Sequence, residues 1–204
     1  MFSGIVQGTA EITSAIQRDD VLTIEVTLGG KLIDGLEIGA SVAVDGVCLT
    51  AVEIAESTAK FDIIEETIRC TTLNIERKNT QANIERSLKY GDEIGGHNVS
   101  GHVTSVATIS EIKQGVNGRT LQLTSEEKEI SYLMPKGFVA IDGISLTVGE
   151  VNRSTDTFDV HLIPETIAVT TIGVKQVGDQ VNLELDSATV AAVEAAKQML
   201  ANQQ

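Results

Sequence analysis

Tryptophan is absent from this 204-residue sequence, and two tyrosines and four phenylalanines supply all of its aromatic surface. That scarcity argues against a groove that stacks many bases or sugars on rings. Cysteine is limited to Cys48 and Cys70. Two thiols make no disulfide framework, and these lack the short spacing of a zinc or redox pair. Positive charge is scarce too, with 15 Lys and Arg against 29 Asp and Glu and a net charge of −14. A nucleic-acid surface needs clustered cations to neutralise phosphates, and an anionic lipid surface needs them as well. Neither partner is expected. No apolar run approaches the ~18 residues of a membrane span. The opening MFSGIVQGTA has no basic stretch followed by an apolar core, so no secretory leader is expected. The expected location is the cytoplasm.

What the chain does have is an internal repeat, the feature to seek before any element is assigned. AVDGVCLT (Ala43 to Thr50) matches AIDGISLT (Ala140 to Thr147) at an offset of 97, with five of eight positions identical. The same offset aligns Ser3-Gly4 with Ser100-Gly101 and Phe61-Asp62 with Phe158-Asp159. After a two-residue insertion the offset becomes 99, which aligns Glu66-Thr67 with Glu165-Thr166 and Asn83-Ile84-Glu85 with Asn182-Leu183-Glu184. The chain therefore divides into two copies of one module, residues 1–97 and 98–186, and a tail, 187–204.

Each module reads as β structure. Val21 to Leu28, Ser41 to Val44, Leu49 to Ile54, Lys60 to Ile64, Gly101 to Ile109, Thr120 to Thr124 and Thr157 to Ile163 are short and rich in Val, Ile and Thr. Gly, Asp and Asn punctuate them. Asp45-Gly46 and Asp142-Gly143 carry the strong Asp-Gly hairpin signal. About six strands fit in each module, and closure into a barrel removes exposed edges. Ser187 to Ala201 differs: it is rich in Ala, lacks Gly and Pro, and sets Val190, Val193, Ala196 and Leu200 on one stripe. That predicts an amphipathic helix with Asp186 or Ser187 at its N-cap. The stripe can dock on the chain's own barrel or on another subunit.

A doubled module offers two pockets of one shape, so the informative positions are those where the copies differ. Cys48 corresponds to Ser145, and His102 to Ile5. Each group also has an ordinary structural reading. Cys48 fits a strand as a small hydrophobe, His97 and His102 fit a Gly-rich segment as structural donors, His161 fits a strand, and Lys136 fits a turn. Residue chemistry alone gives a tandem barrel for a pair of similar small molecules.

The segments MFSGIVQG, GVCLT, FDIIEET, DEIGGHNVSGH, KGFVAIDGISLTVGEV and HLIPET resemble the riboflavin synthase family over nearly the whole chain. The resemblance implies an all-β fold of tandem six-stranded Greek-key barrels, with a C-terminal helix through which three chains associate. It implies an active site between the first barrel of one subunit and the second barrel of its neighbour. There, two molecules of 6,7-dimethyl-8-ribityllumazine dismutate to riboflavin and 5-amino-6-ribitylamino-uracil by transfer of a four-carbon unit. It implies no metal or organic cofactor, because the substrate is itself electrophilic and carries an acidic C7 methyl group. Lumazine synthase is the partner protein to consider.

By the same resemblance, His102 moves the proton, a task suited to an imidazole near neutral pH, with Ser145 and Thr147 as hydroxyl partners. Cys48 adds to the acceptor ring or orients a water that does, and Ser41 and Asp186 complete the polar lining. Substrate-binding positions carried onto the first barrel are Gly4, Ile5, Val6, Leu49, Thr50, Asp62, Ile63, Ile64, Glu65, Glu66 and Thr67. Those carried onto the second are Gly101, Val103, Lys136, Leu146, Ile163, Pro164, Glu165, Thr166, Ile167 and Ala168. Many of these contacts would be made by backbone groups at strand ends. The sequence departs from the family in two places. Position 3 is Ser where Thr is frequent, and KNTQANIE (Lys78 to Glu85) lacks the Gly-Asp turn of VGDQVNLE (Val177 to Glu184). The same fold occurs in non-catalytic lumazine- and flavin-binding fluorescent proteins of luminous bacteria, which are the alternative. A trimer with no ligand would leave the polar strand ends unexplained.

Overall fold

Period-two alternation in the Val- and Ile-rich segments sends every second side chain to one face. A computed structural model, which describes residues 1–202, shows that face closed on itself twice. The first barrel comprises β1 (Gly8–Arg18), β2 (Val21–Thr27), β3 (Ser41–Val44), β4 (Val47–Ile54), β5 (Thr58–Ile64) and β6 (Thr80–Arg86), with a short helix α1 (Glu65–Cys70). The second comprises β7 (Ser105–Gly115), β8 (Gly118–Thr124), α2 (Glu127–Ile130), β9 (Phe138–Ile141), β10 (Ile144–Asn152), β11 (Thr157–Leu162), α3 (Pro164–Val169) and β12 (Gln180–Leu185). The circular order β1-β2-β5-β4-β3-β6 repeats as β7-β8-β11-β10-β9-β12. Closure follows because β6 pairs with both β1 and β3, and β12 with both β7 and β9.

Inward residues fill each barrel. Leu22, Ile24, Val42, Leu49, Phe61 and Ile63 are buried in the first, and Leu121, Leu123, Val139, Leu146, Val160 and Leu162 in the second. Each such side chain contributes about 1.5–3 kcal/mol on burial. Bulges in β1, β4, β7 and β10 bend the strands towards closure.

The two barrels meet about a pseudo-two-fold axis. Phe2 pairs with Val99, its counterpart at the offset of 97, through reciprocal backbone hydrogen bonds of 2.8 and 3.1 Å. Nearby, the two Asp-Gly turns touch: a Cβ on Gly46 would lie 2.5 Å from the Gly143 nitrogen. The seam is polar and reciprocal. Asn83 Nδ2 donates to the Asp142 carbonyl at 3.0 Å, and Asn182 Nδ2 to the Asp45 carbonyl at 2.8 Å. Asp45 is ion-paired with Arg77 at 2.6 Å. Burial pushes the Asp142 carboxyl up to about 7, helped by the Asp45 charge and opposed by Lys175.

Three expectations need correction. The strand expected over Gly101 to Ile109 begins at Ser105 and runs to Gly115, because the residues before it are tied elsewhere, as described below. The match of Phe61-Asp62 to Phe158-Asp159 is displaced by two residues. Phe61 pairs with Ile24, and Val160 with Leu121, the residue 97 beyond Ile24. The insertion therefore lies in the turn before β11, and Asp62 corresponds to His161. The missing Gly-Asp turn leaves the loop's shape intact: Asn79 takes the left-handed φ of 61° that Gly178 has at 95°, a conformation Asn tolerates better than most residues.

The terminal helix α4 (Ser187–Ala201) has the expected bounds, and the Asp186 carboxylate caps it by accepting from Ala188 and Thr189 N–H. Residues 203–204 of the expected tail lie outside the described residues. Val190 packs on the second barrel, Tyr132 donates to Glu194 at 2.6 Å, and Lys197 lies 4.3 Å over the Tyr132 ring. The distal end stays open, with Met199 66% and Leu200 64% exposed. None of the described helices is long and apolar enough to cross a membrane.

Candidate active site

In each barrel, the strand residues that do not point into the core present a short polar row outside it. In the first barrel, β3 and β4 pair Ser41 with Thr50 and Ala43 with Cys48. In the second, β9 and β10 pair Phe138 with Thr147 and Ala140 with Ser145. Cys48 and Ser145 are half-buried, while Thr50 and Thr147 are exposed. Leu49, Ile63 and Leu146 point into the cores and are buried, so only their backbone can face a ligand.

Each row is covered by a loop from the other copy. The Cys48 N–H donates to the Gly101 carbonyl at 2.9 Å, and the Ser145 N–H to the Gly4 carbonyl at 2.8 Å. Both glycines are left-handed, with φ of 82° and 74°. A Cβ on either would lie 2.5 Å from the Cβ beneath it, so no larger residue fits this cover. A buried carboxylate anchors each loop. Glu85 accepts from Ser3 N–H and Oγ at 2.7 Å and from Gly4 N–H at 3.0 Å. Glu184 accepts from Ser100 N–H and Oγ and from Gly101 N–H at 2.7 to 3.0 Å. Burial pushes the Glu85 carboxyl up, opposed by those donors. These anchors are why β7 starts late.

The exchange regroups the expected site residues. Gly101, His102 and Val103 belong with Ser41, Cys48 and Thr50 on the first barrel, where Val103 packs against the core. Gly4, Ile5 and Val6 belong with Ser145 and Thr147 on the second, where Val6 packs likewise. The expectation had placed each loop on its own copy's barrel. His102 is exposed, and the ring that reaches Ser145 is that of His97: Nδ1 lies 2.7 Å from Ser145 Oγ. The His97 ring stacks on Phe138 at 5.0 Å. Burial lowers its pKa, while the charge of Asp186 acts the other way. Among the described residues, no side-chain hydrogen bond joins the Cys48 group to the Ser145 group.

The remaining expected residues frame these two half-sites. Asp62 accepts from Thr23 Oγ1 at 2.6 Å. Ile64, Glu65, Glu66 and Thr67 form the start of α1, as Ile163, Pro164, Glu165, Thr166, Ile167 and Ala168 form that of α3. Glu66 is held by Arg69 at 2.7 Å, which lowers its carboxyl. Lys136 is exposed at a left-handed turn with φ of 70°, and its N–H donates to Val148. His97 is the functional residue that sequence reasoning left undecided. Its signal was the Gly-Gly before it: Gly96 lies so close to Ser3 and Ser145 that a Cβ would clash.

A model of the lumazine binding domain matches residues 3–87 and again 100–186. Riboflavin synthase of Escherichia coli (strain K12) is 44% identical over 202 residues, covering 98% of this chain and 94% of that protein. Riboflavin synthase of Chlamydia pneumoniae is 45% identical over 203 residues, covering 99% and 98%. The chain belongs to the riboflavin synthase family. Among solved structures, LumP complexed with riboflavin superposes with a TM-score of 0.81 at 25% identity, covering 92% of this chain and all of LumP. The chain is thus nearer in sequence to the riboflavin synthases than to LumP, while the barrels are of one kind in both. The two domain matches cover both half-sites, including the exchanged loops from Ser3 and Ser100 onwards.

Proposed function

We propose that this chain is a riboflavin synthase that dismutates two molecules of 6,7-dimethyl-8-ribityllumazine to riboflavin and 5-amino-6-ribitylamino-uracil. One observation carries the reading: two half-sites with one backbone plan hold different reactive groups, Cys48 and His102 in the first, Ser145 and His97 in the second. Identical substrates with opposite roles need that combination. Holding two flat rings face to face turns an encounter into a positioned reaction.

In this reading, each half-site binds one lumazine through strand-end backbone groups beside a glycine loop. His102 accepts the proton leaving the donor's C7 methyl. Cys48 adds to the acceptor ring or orients a water that does, and Ser41 lines the same half-site. Ser145 and Thr147 supply hydroxyls from the second barrel. The neutral His97 orients Ser145, and Asp186 stands behind His97. Because Ser145 and His102 lie on different half-sites of one chain, a complete pair combines the first barrel of one subunit with the second of a neighbour. A homotrimer held through α4 provides that pairing, and the exposed Met199 and Leu200 are the surface it would use. The reading extends to a cytoplasmic location and to lumazine synthase as a physical partner.

Incubating the purified protein with 6,7-dimethyl-8-ribityllumazine and no additive tests the proposal. Riboflavin absorbance appearing near neutral pH is the expected result. Tight binding of the lumazine without turnover would instead make the chain a binder like LumP.

A further inference from the structure

The corrected alignment of β5 with β11 uncovers a third difference between the half-sites. Across β3, β4, β5 and β2 the outward row of the first barrel reads Ser41, Thr50, Asp62, Thr23. Across β9, β10, β11 and β8 the row of the second reads Phe138, Thr147, His161, Thr120. Thr23 and Thr120 occupy equivalent positions and do equivalent work. Thr23 Oγ1 donates to Asp62 Oδ1 at 2.6 Å, and Thr120 Oγ1 lies 2.9 Å from His161 Nδ1.

The imidazole has also been given room. A Cβ on Gly149 would lie 2.9 Å from His161 Nε2, and the first copy carries Val52 at the matching place. Aspartate with valine in one copy has thus become histidine with glycine in the other, two facing changes that fit each other. Both rows are set one step out from a flatter strip, Ala43 with Cys48 and Ala140 with Ser145, under the glycine loops. The strip suits a flat ring and the row suits a hydroxylated chain.

We infer that His161 is a ligand-contacting, specificity-determining residue of the second half-site, facing the polyhydroxylated side chain of the bound heterocycle. The inference rests on the functional reading above and adds a residue to it. A neutral imidazole both donates and accepts, whereas the ionised Asp62 only accepts, so one polyol chain meets different hydrogen-bonding demands in the two half-sites. The second half-site would select a chain that can accept as well as donate at this point.

The chain has three histidines, so ¹⁵N-imidazole NMR of the full-length protein can follow His161 and His102 as separate reporters of the two half-sites. The probes are 6,7-dimethyl-8-ribityllumazine and 6,7,8-trimethyllumazine, which has the ring without the polyol. The expected result is that the ribityl compound shifts the His161 ring resonances and the trimethyl compound barely does. His161→Ala should weaken the ribityl compound about tenfold at the second half-site, the scale of one lost hydrogen bond. It should leave the first half-site and the trimethyl compound within about twofold, and His161→Gln should recover part of the loss. Equal weakening of both probes, or of neither, overturns the inference, as does failure of both variants to fold, since His161 would then be structural. If the wild-type protein binds neither probe, the functional reading itself falls and this inference falls with it.

Discussion

Replacing Gly101 with alanine tests whether the exchanged loop is held as tightly as its geometry requires. At φ of 82° an L side chain costs about 1–2 kcal/mol. The new Cβ would also lie 2.5 Å from Cys48 Cβ and 3.0 Å from Phe2 Cε2, and overpacking of that kind costs about 1–3 kcal/mol. Together they amount to about 2–5 kcal/mol, which for a chain of this size lowers the melting temperature by roughly 4–20 °C. Gly39→Ala is the control, because Gly39 has a φ of 90° with nothing within 4 Å of an added Cβ. It should show the backbone strain alone. Thermal unfolding followed by circular dichroism, with riboflavin formation measured beside it, separates the two. Gly101→Ala should melt several degrees below Gly39→Ala and lose activity, because the Cys48 N–H would lose its 2.9 Å bond to Gly101. If the two variants melt together and both turn over normally, the close cover described for Cys48 is wrong.

Further outcomes follow from the same geometry. Cys48→Ala and His102→Ala should each retain the parent's melting curve and lose about 10²–10⁴-fold in kcat, and parental kcat in both would remove their assigned roles. His97 is depressed by burial below its ordinary 6.5, so the unfolded chain takes up its proton first as pH falls. Its contribution is complete above pH 6.5 and is lost as pH drops through the folded value. Urea unfolding between pH 5 and 8 should show that His97→Gln flattens this acid-side loss, and an unchanged pH slope would argue against it. Leu200→Asp, at a residue 64% exposed, should shift sedimentation towards monomer, and an unaltered profile would remove α4 as the association element.

Much of the scaffold could be read directly from the residues. The Asp-Gly turns lie between apolar runs, and both aspartates take the left-handed φ of 45° that this hairpin requires. Asp186 caps α4 as its position suggested, since that choice is local. The loop exchange was hidden for a physical reason. Ser3-Gly4 and Ser100-Gly101 each bind a glutamate of their own copy, yet their carbonyls serve the other, and chain proximity reveals only the first bond. His97 was undecided because it has no counterpart in the first copy, so the repeat could not flag it. The shared Phe-Asp pair misled the alignment of β11 because core strands accept several registers of apolar residues, whereas the partner threonines of β2 and β8 accept one.

The crossing of the two glycine loops also bears on ancestry. A single barrel with its own loop folded outward would leave the strip around Ala43 and Cys48 bare, and a second identical barrel is what that strip fits. The present chain therefore has the form of a symmetrical dimer whose genes fused end to end. Once fused, each half was free to mutate without changing its twin, which is how a carboxylate could become an imidazole and a thiol a hydroxyl on opposite sides of one inherited axis.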